Sequence, residues 1–189
     1  MKKLFFTIAT LSLLLSSCHG DEENHLDPKY WVKERYLEST GFTNVSEQID
    51  LEDREFGIKF KPVVDGSIRV ILAGLPTKIP VYRITIWDAD QQSILKSDSL
   101  KINVEPRGPH LSFMVPMNVH LTAGKEYMVT INSNDWFEYV GTSEATYPVE
   151  LGDLVITGFG YSVGTGLTFP TQFPTSYFSG DLDIRFQRD

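Results

Sequence analysis

The chain has 189 residues, 41% hydrophobic and 22% charged, with 12 Phe, 8 Tyr and 3 Trp. So much apolar surface offsets chain entropy and excludes disorder throughout, while 14 Gly and 10 Pro are too few for collagen-like or low-complexity classes. One Cys excludes an intramolecular disulfide framework, and a formal net charge of −8 argues against nucleic acid as a partner.

The chain opens with Lys2 and Lys3, then an uncharged run from Leu4 to Leu15 rich in Leu, Phe and Ile. As a helix that run rises about 18 Å, short of the ~30 Å hydrocarbon core, so it reads as a signal-peptide core and not as a span. The next residues, Leu15-Ser16-Ser17-Cys18, resemble the lipobox of bacterial lipoproteins. The resemblance implies cleavage before Cys18, palmitate-type lipid on its thiol, and a membrane partner engaged through that anchor. Several acyl chains anchor stably where one does not. His19-Gly20-Asp21-Glu22-Glu23 resembles the acidic export signal of surface lipoproteins of the Bacteroidetes, which implies the outer membrane with the domain facing outward. Without Lys2 and Lys3, 15 basic residues face 25 acidic ones, a net charge of −10.

The expected organisation is a leader over 1–17, an acidic tether over 18–26, a helix and connector over 27–54, and a β-sandwich over 55–189. Asp27–Thr40 is the helix, with Pro28 suited to its first turn and Tyr30, Val32, Tyr36 and Leu37 as a loose apolar face. From Glu55 onward residues alternate with period two. Phe56, Ile58 and Phe60 form one such set, followed by Ile68, Val70 and Leu72, then Tyr82, Ile84 and Ile86. Tyr127, Val129 and Ile131 form another, and Leu182, Ile184 and Phe186 the last. Weaker strands lie at Ser93–Val104, His110–Val115 and Leu154–Tyr161. One apolar face per strand predicts an all-β chain, a single antiparallel sandwich of Ig-like or jelly-roll topology behind a short N-terminal helix.

Ile86-Trp87-Asp88-Ala89-Asp90, with Leu121-Thr122-Ala123-Gly124-Lys125-Glu126-Tyr127, resembles an uncharacterised module (a domain of unknown function) of bacterial surface proteins over residues 55 to 140. The resemblance implies an extracellular sandwich, often carbohydrate-related, and carries no catalytic residue across. No cofactor is expected. Gly160-Tyr161-Ser162-Val163-Gly164 matches the G-x-S-x-G elbow, but a poor helix start follows and no His occurs after His120. The chain is therefore expected not to be an enzyme. His19, His25, His110 and His120 show no zinc-ligand spacing.

Candidate binding residues are few. Asp88 and Asp90, with Asp98 nearby, are candidate calcium ligands, though turn aspartates that bond their own backbone explain them as well. Asn134, Asp135, Trp136 and Tyr139 sit at an expected sheet end, where rings stack on sugars and amides or carboxylates bond hydroxyls; equally, the aromatics cover the end of a core. Leu154 to Gly180 carries no charge and includes Tyr161 and Tyr177, candidates for an exposed ligand-binding patch unless the segment is a flap over the sandwich. Asp98-Ser99-Leu100 resembles an O-glycosylation signal of Bacteroidetes secreted proteins, which would place a sugar on Ser99. The function expected is a lipid-anchored surface module that binds a glycan or another surface protein. The alternative is a structural subunit of a fimbria-like assembly.

Overall fold

Alternation becomes sheet wherever a second strand accepts the backbone hydrogen bonds. The computed structural model describes residues 32–49, 51–76, 81–101 and 111–189. Among the described residues a short helix, α1 (Val32–Thr40), precedes twelve strands. In chain order these are β1 (Asn44–Gln48), β2 (Arg54–Pro62), β3 (Gly66–Leu75), β4 (Val81–Asp88), β5 (Ser93–Lys101) and β6 (Leu111–Leu121). Then come β7 (Tyr127–Ser133), β8 (Trp136–Val140), β9 (Val149–Leu151), β10 (Leu154–Val163), β11 (Tyr177–Ser179) and β12 (Asp181–Arg188).

The strands pair antiparallel in three sheets, ordered β5-β4-β7-β2-β10-β9, β12-β3-β6 and β1-β8-β11. The first two enclose one core: Phe56, Ile58, Phe60, Ile84, Ile86, Val129 and Ile131 meet Ile68, Ile71, Leu75, Val115, Met117, Leu182 and Ile184. The chain is an all-β sandwich with a short helix. The small third sheet covers one end, where Trp136 lies edge-on to Phe56 at 5.6 Å between ring centroids. Pro116 is tolerated inside β6 because β6 is an edge strand.

Two expectations change. In β3 the buried set is Ile68, Ile71, Ala73 and Leu75 instead of Ile68, Val70 and Leu72. A bulge at Arg69, between Ile68 and Val70, adds one residue to β3 relative to β12, which moves every later side chain of β3 to the opposite face. Seen from β12 the same bulge falls between Arg185 and Phe186, which pair with Val70 and Ile68, so Phe186 keeps the side of Leu182 and Ile184 and packs half-buried against the core. The sequence also suggested no strand at β1, β8, β9 or β11. Each has five residues or fewer, too short to display an alternation. β1 falls in the expected connector.

Helix α1 buries Val32 and Tyr36 as expected; Asp27 and the first residues of the longer expected helix lie outside the described residues. The carboxylate that meets its first turn comes from β12. Asp183 Oδ1 accepts from the backbone N–H groups of Val32 at 2.8 Å, Lys33 at 3.2 Å and Ile184 at 2.8 Å. Lys33 also pairs with Asp181. Burial nevertheless pushes the Asp183 carboxyl up to about 7, against those donors and the Lys33 charge, and Oδ2 has no hydrogen-bond partner among the described residues. A carboxyl whose folded value exceeds its unfolded one favours the folded state most at low pH. We therefore expect the stability contributed at this site to fall as pH rises from about 4 to about 7, and to level off above. Urea unfolding at pH 5 and pH 8 measures this, and Asp183→Asn should flatten part of the slope. An unaltered slope in the variant would remove Asp183 from the account.

Candidate functional site

The third sheet decides where the candidate aromatics go. Its register sets Gln48 opposite Trp136, Ser46 opposite Glu138 and Asn44 opposite Val140, with Ser179 and Tyr177 beside Glu138 and Val140 on the far side. Opposed residues in an antiparallel pair project to the same side, so Trp136, Glu138 and Tyr177 share one face. On the six-stranded sheet, Tyr161 is opposite Phe56, and Arg54 has the same parity two residues before Phe56. Arg54 and Tyr161 thus project from the inner face of that sheet, where it meets the third sheet.

The seam between the two sheets gathers these groups. The Arg54 guanidinium carbon lies 4.8 Å from the centroid of the Trp136 ring and 4.9 Å from that of Tyr161. The Tyr161 ring lies 6.4 Å from Tyr177, and Tyr177 packs edge-on to Phe159 at 5.9 Å. The Tyr161 hydroxyl donates to Gln172 Oε1 at 2.7 Å. Burial, with Tyr161 and Glu138 nearby, raises the Tyr177 hydroxyl above its ordinary value, and Arg54 partly offsets this, so it stays protonated. Arg54, Tyr161 and Tyr177 are half-buried, with part of each side chain in solvent. A cation between two rings, beside a second tyrosine and a carboxylate, offers stacking faces together with donors and acceptors for hydroxyl groups.

Three of the six expected ligand residues therefore meet here, and the other three do not. Trp136 is 1% exposed and is a wall of the core, correcting its reading as an open stacking face; its Nε1 has no partner. Asp135 is 2% exposed, in a tight turn where Ser133 Oγ donates to the Asp135 carbonyl at 2.6 Å and accepts from its N–H at 3.0 Å. Asn134 lies in the same turn and accepts from the Leu51 N–H through its carbonyl. Tyr139 points to the opposite side of β8, packs on Phe178 at 5.8 Å and donates to Asp181 Oδ1 at 3.3 Å. Burial, with Asp181 adding to it, raises its hydroxyl too. The sequence reading missed Arg54, Glu138 and Gln172. For Arg54 a signal existed: it is a cation at an apolar position of the β2 alternation.

The opposite face of the six-stranded sheet is covered. Residues 164–171 form an Ω-shaped loop beyond β10 whose ends are drawn together where the Tyr161 N–H donates to the Gln172 carbonyl at 2.8 Å and the Gln172 N–H to the Tyr161 carbonyl at 3.0 Å. The segment thus crosses the sandwich as a flap. Arg83 donates to the carbonyls of Thr165 at 3.2 Å and Gly166 at 2.9 Å, and Asn132 to that of Gly164 at 3.1 Å. Phe169 packs edge-on to Trp87 at 5.6 Å. Phe173 fills the space above Gly160, where any Cβ would lie 2.6 Å from its ring. Beneath the loop Glu55 is fully buried: it accepts from Arg83 at 2.7 Å and from Thr130, which in turn accepts from Trp87 Nε1 at 2.8 Å. Burial raises the Glu55 carboxyl above the usual range despite Thr130 and Arg83. Ser162 of the G-x-S-x-G match sits inside β10, 7% exposed, with no helix after it, so no nucleophile elbow forms.

Asp88 and Asp90 act on the backbone. Asp88 Oδ1 accepts from the Gln91 N–H at 3.0 Å, and Asp90 Oδ2 from the Glu126 N–H at 3.2 Å. Among the described residues no three His, Cys, Asp or Glu side chains gather as a metal site, so the calcium reading gains no further ligand. Ser99 lies exposed on edge strand β5. His120 is exposed, 3.6 Å from Asp189, while Cys18, His19, His25 and His110 lie outside the described residues. In comparisons with known proteins no family model matches the chain, and no curated protein is significantly similar to it.

Trp136→Ala should cost about 3–5 kcal/mol, the usual range for emptying a large aromatic site in a core. Chemical denaturation checks this. A loss below about 1 kcal/mol would mean that Trp136 is not part of the core wall.

Proposed function

We propose that this chain is a non-enzymatic, lipid-anchored module of the outer membrane, facing outward, that binds a glycan at the seam between its six-stranded and third sheets. The observation that carries the reading is the Arg54 guanidinium held between the Trp136 and Tyr161 rings with Tyr177 alongside. A sugar ring stacks its C–H face on an exposed tyrosine and turns its hydroxyls toward neighbouring polar groups, here Arg54, Glu138 and Gln172. Neutral sugars suit the place best, since Glu138 beside Tyr177 repels an anion. The lipobox-like Leu15–Cys18 and the acidic tether support the anchor and its outward address. The resemblance over residues 55 to 140 supports an extracellular, carbohydrate-related context.

A second reading, a structural or protein-binding subunit of a surface assembly, is favoured by one observation. Val163, Leu167 and Phe173, at or near the uncharged loop, are 45%, 42% and 46% exposed.

A glycan array probed with the purified protein separates the two. Tyr161→Ala and Tyr177→Ala should each weaken binding about tenfold, the loss of about 1.4 kcal/mol per stacking face, in protein that circular dichroism shows to be folded. A blank array together with pull-down of a surface protein would favour the second reading. For the anchor, cells fed labelled palmitate should label the wild-type chain and not Cys18→Ser; absence of label on the wild type would overturn it.

A further inference from the structure

Arg54 and Glu55 are sequence neighbours on β2, so they project to opposite faces of one sheet, as Tyr161 and Ser162 do on β10. The Ω loop belongs to both faces. On the outer face it is held by Arg83 and Asn132, and where its ends meet Gln172 holds the Tyr161 hydroxyl. Whatever loosens the loop on one side therefore frees Tyr161 on the other.

Glu55 is the group under that loop with a reason to drive it. Its carboxyl is fully buried, and the loop over it, residues 164–171, contains no charged residue. The groups that face Glu55 are Arg83 from β4 and Thr130 and Asn132 from β7; among the described residues Arg83 is the one charged group that acts on it. β10 brings Ser162, opposite Glu55, and the loop brings carbonyls that Arg83 already holds. A neutral carboxyl is at ease in this place. An ionised one gains hydration when the loop lifts, and Arg83, 23% exposed, can follow it to water.

We propose that the loop over residues 164–171 is a proton-dependent clasp: it closes while Glu55 is neutral, loosens once Glu55 is ionised, and in closing fixes the Tyr161 hydroxyl through Gln172. The consequence for binding rests on the glycan reading given above, because a fixed Tyr161 is a pre-organised stacking face. The sign follows from linkage. The closed state, which buries Glu55, has the higher proton affinity, in keeping with the raised Glu55 value, so acidification favours closure by up to tenfold per pH unit between the closed and open values.

Hydrogen exchange of the full chain tests the clasp without any ligand. After correction for intrinsic rates, peptides covering 164–173 should be better protected at pH 4.5 than at pH 8, and Glu55→Gln should be well protected at both. Equal protection of the wild type at the two pH values, or a wild-type slope in Glu55→Gln, would overturn the proposal. Should Glu55→Gln fail to fold, the Glu55 carboxyl followed by carbon NMR takes its place. Its titration midpoint must then coincide with that of loop protection, and a mismatch overturns the clasp. A glycan array read at both pH values separates the two ideas. Binding without pH dependence, beside a responsive loop, breaks the link to Tyr161, whereas a blank array beside a responsive loop removes the glycan reading alone.

Discussion

Phe178 is the point at which distant parts of the chain depend on one another. It is fully buried, with Tyr36 of α1 edge-on at 5.2 Å, Phe159 of β10 edge-on at 5.3 Å and Tyr139 of β8 at 5.8 Å. A two-sheet sandwich leaves its ends open, and an open end here would wet Phe56, Phe159 and Tyr36. The third sheet exists to prevent that. β11 has only three residues, so its backbone pairing to β8 is a weak restraint by itself. The ring of Phe178 holds it, and with it the end of the loop that begins beyond β10. Gly180 lets the chain turn there at φ +95°, where a Cβ would strike the Phe56 ring at 2.5 Å.

On the other side of the same strands the logic is polar. The outward positions of β2, β7 and β4 bring Glu55, Thr130, Asn132, Arg83 and Trp87 together, and an uncharged loop seals them from water. When Glu55 is ionised its pairing with Arg83 adds little net stability over a well-packed apolar substitute, because desolvation of both charges offsets their attraction. What it does supply is direction, since the Arg83 fork fits one carboxylate and two loop carbonyls at once. The loop is thereby set in one place, and the seam on the inner face inherits that order through Tyr161 and Gln172.

The seam itself is a by-product of how the two sheets meet. Arg54 sits at the first position of β2, beyond the reach of the β12-β3-β6 layer, so the facing surface is the third sheet and not the main core. There its charge keeps access to water while its plane lies against Trp136 and Tyr161. Such an arrangement leaves the half-buried Tyr161 and Tyr177 rings and their hydrogen-bonding neighbours partly in solvent.

The sequence by itself determined the sheet class, the eight longer strands and the inward residues of β2, β4 and β7, because period-two alternation is a local property that needs no partner to be read. It also marked Tyr161 and Tyr177 as residues of interest, through a stretch without charge. What the tertiary structure alone decided is everything that depends on which strand lies beside which. A single bulge reversed the faces of β3 after Ile68, the short strands β1, β8 and β11 formed only by pairing with one another and β9 by pairing with β10, and Trp136 was buried by Phe56, 80 positions away in the chain. The cap on α1 came from Asp183 at a separation of 151 residues. Long-range pairing of this type leaves almost no trace in local composition, and so Arg54, although out of place in its alternation, became meaningful only when Trp136 and Tyr161 closed on it from two other strands.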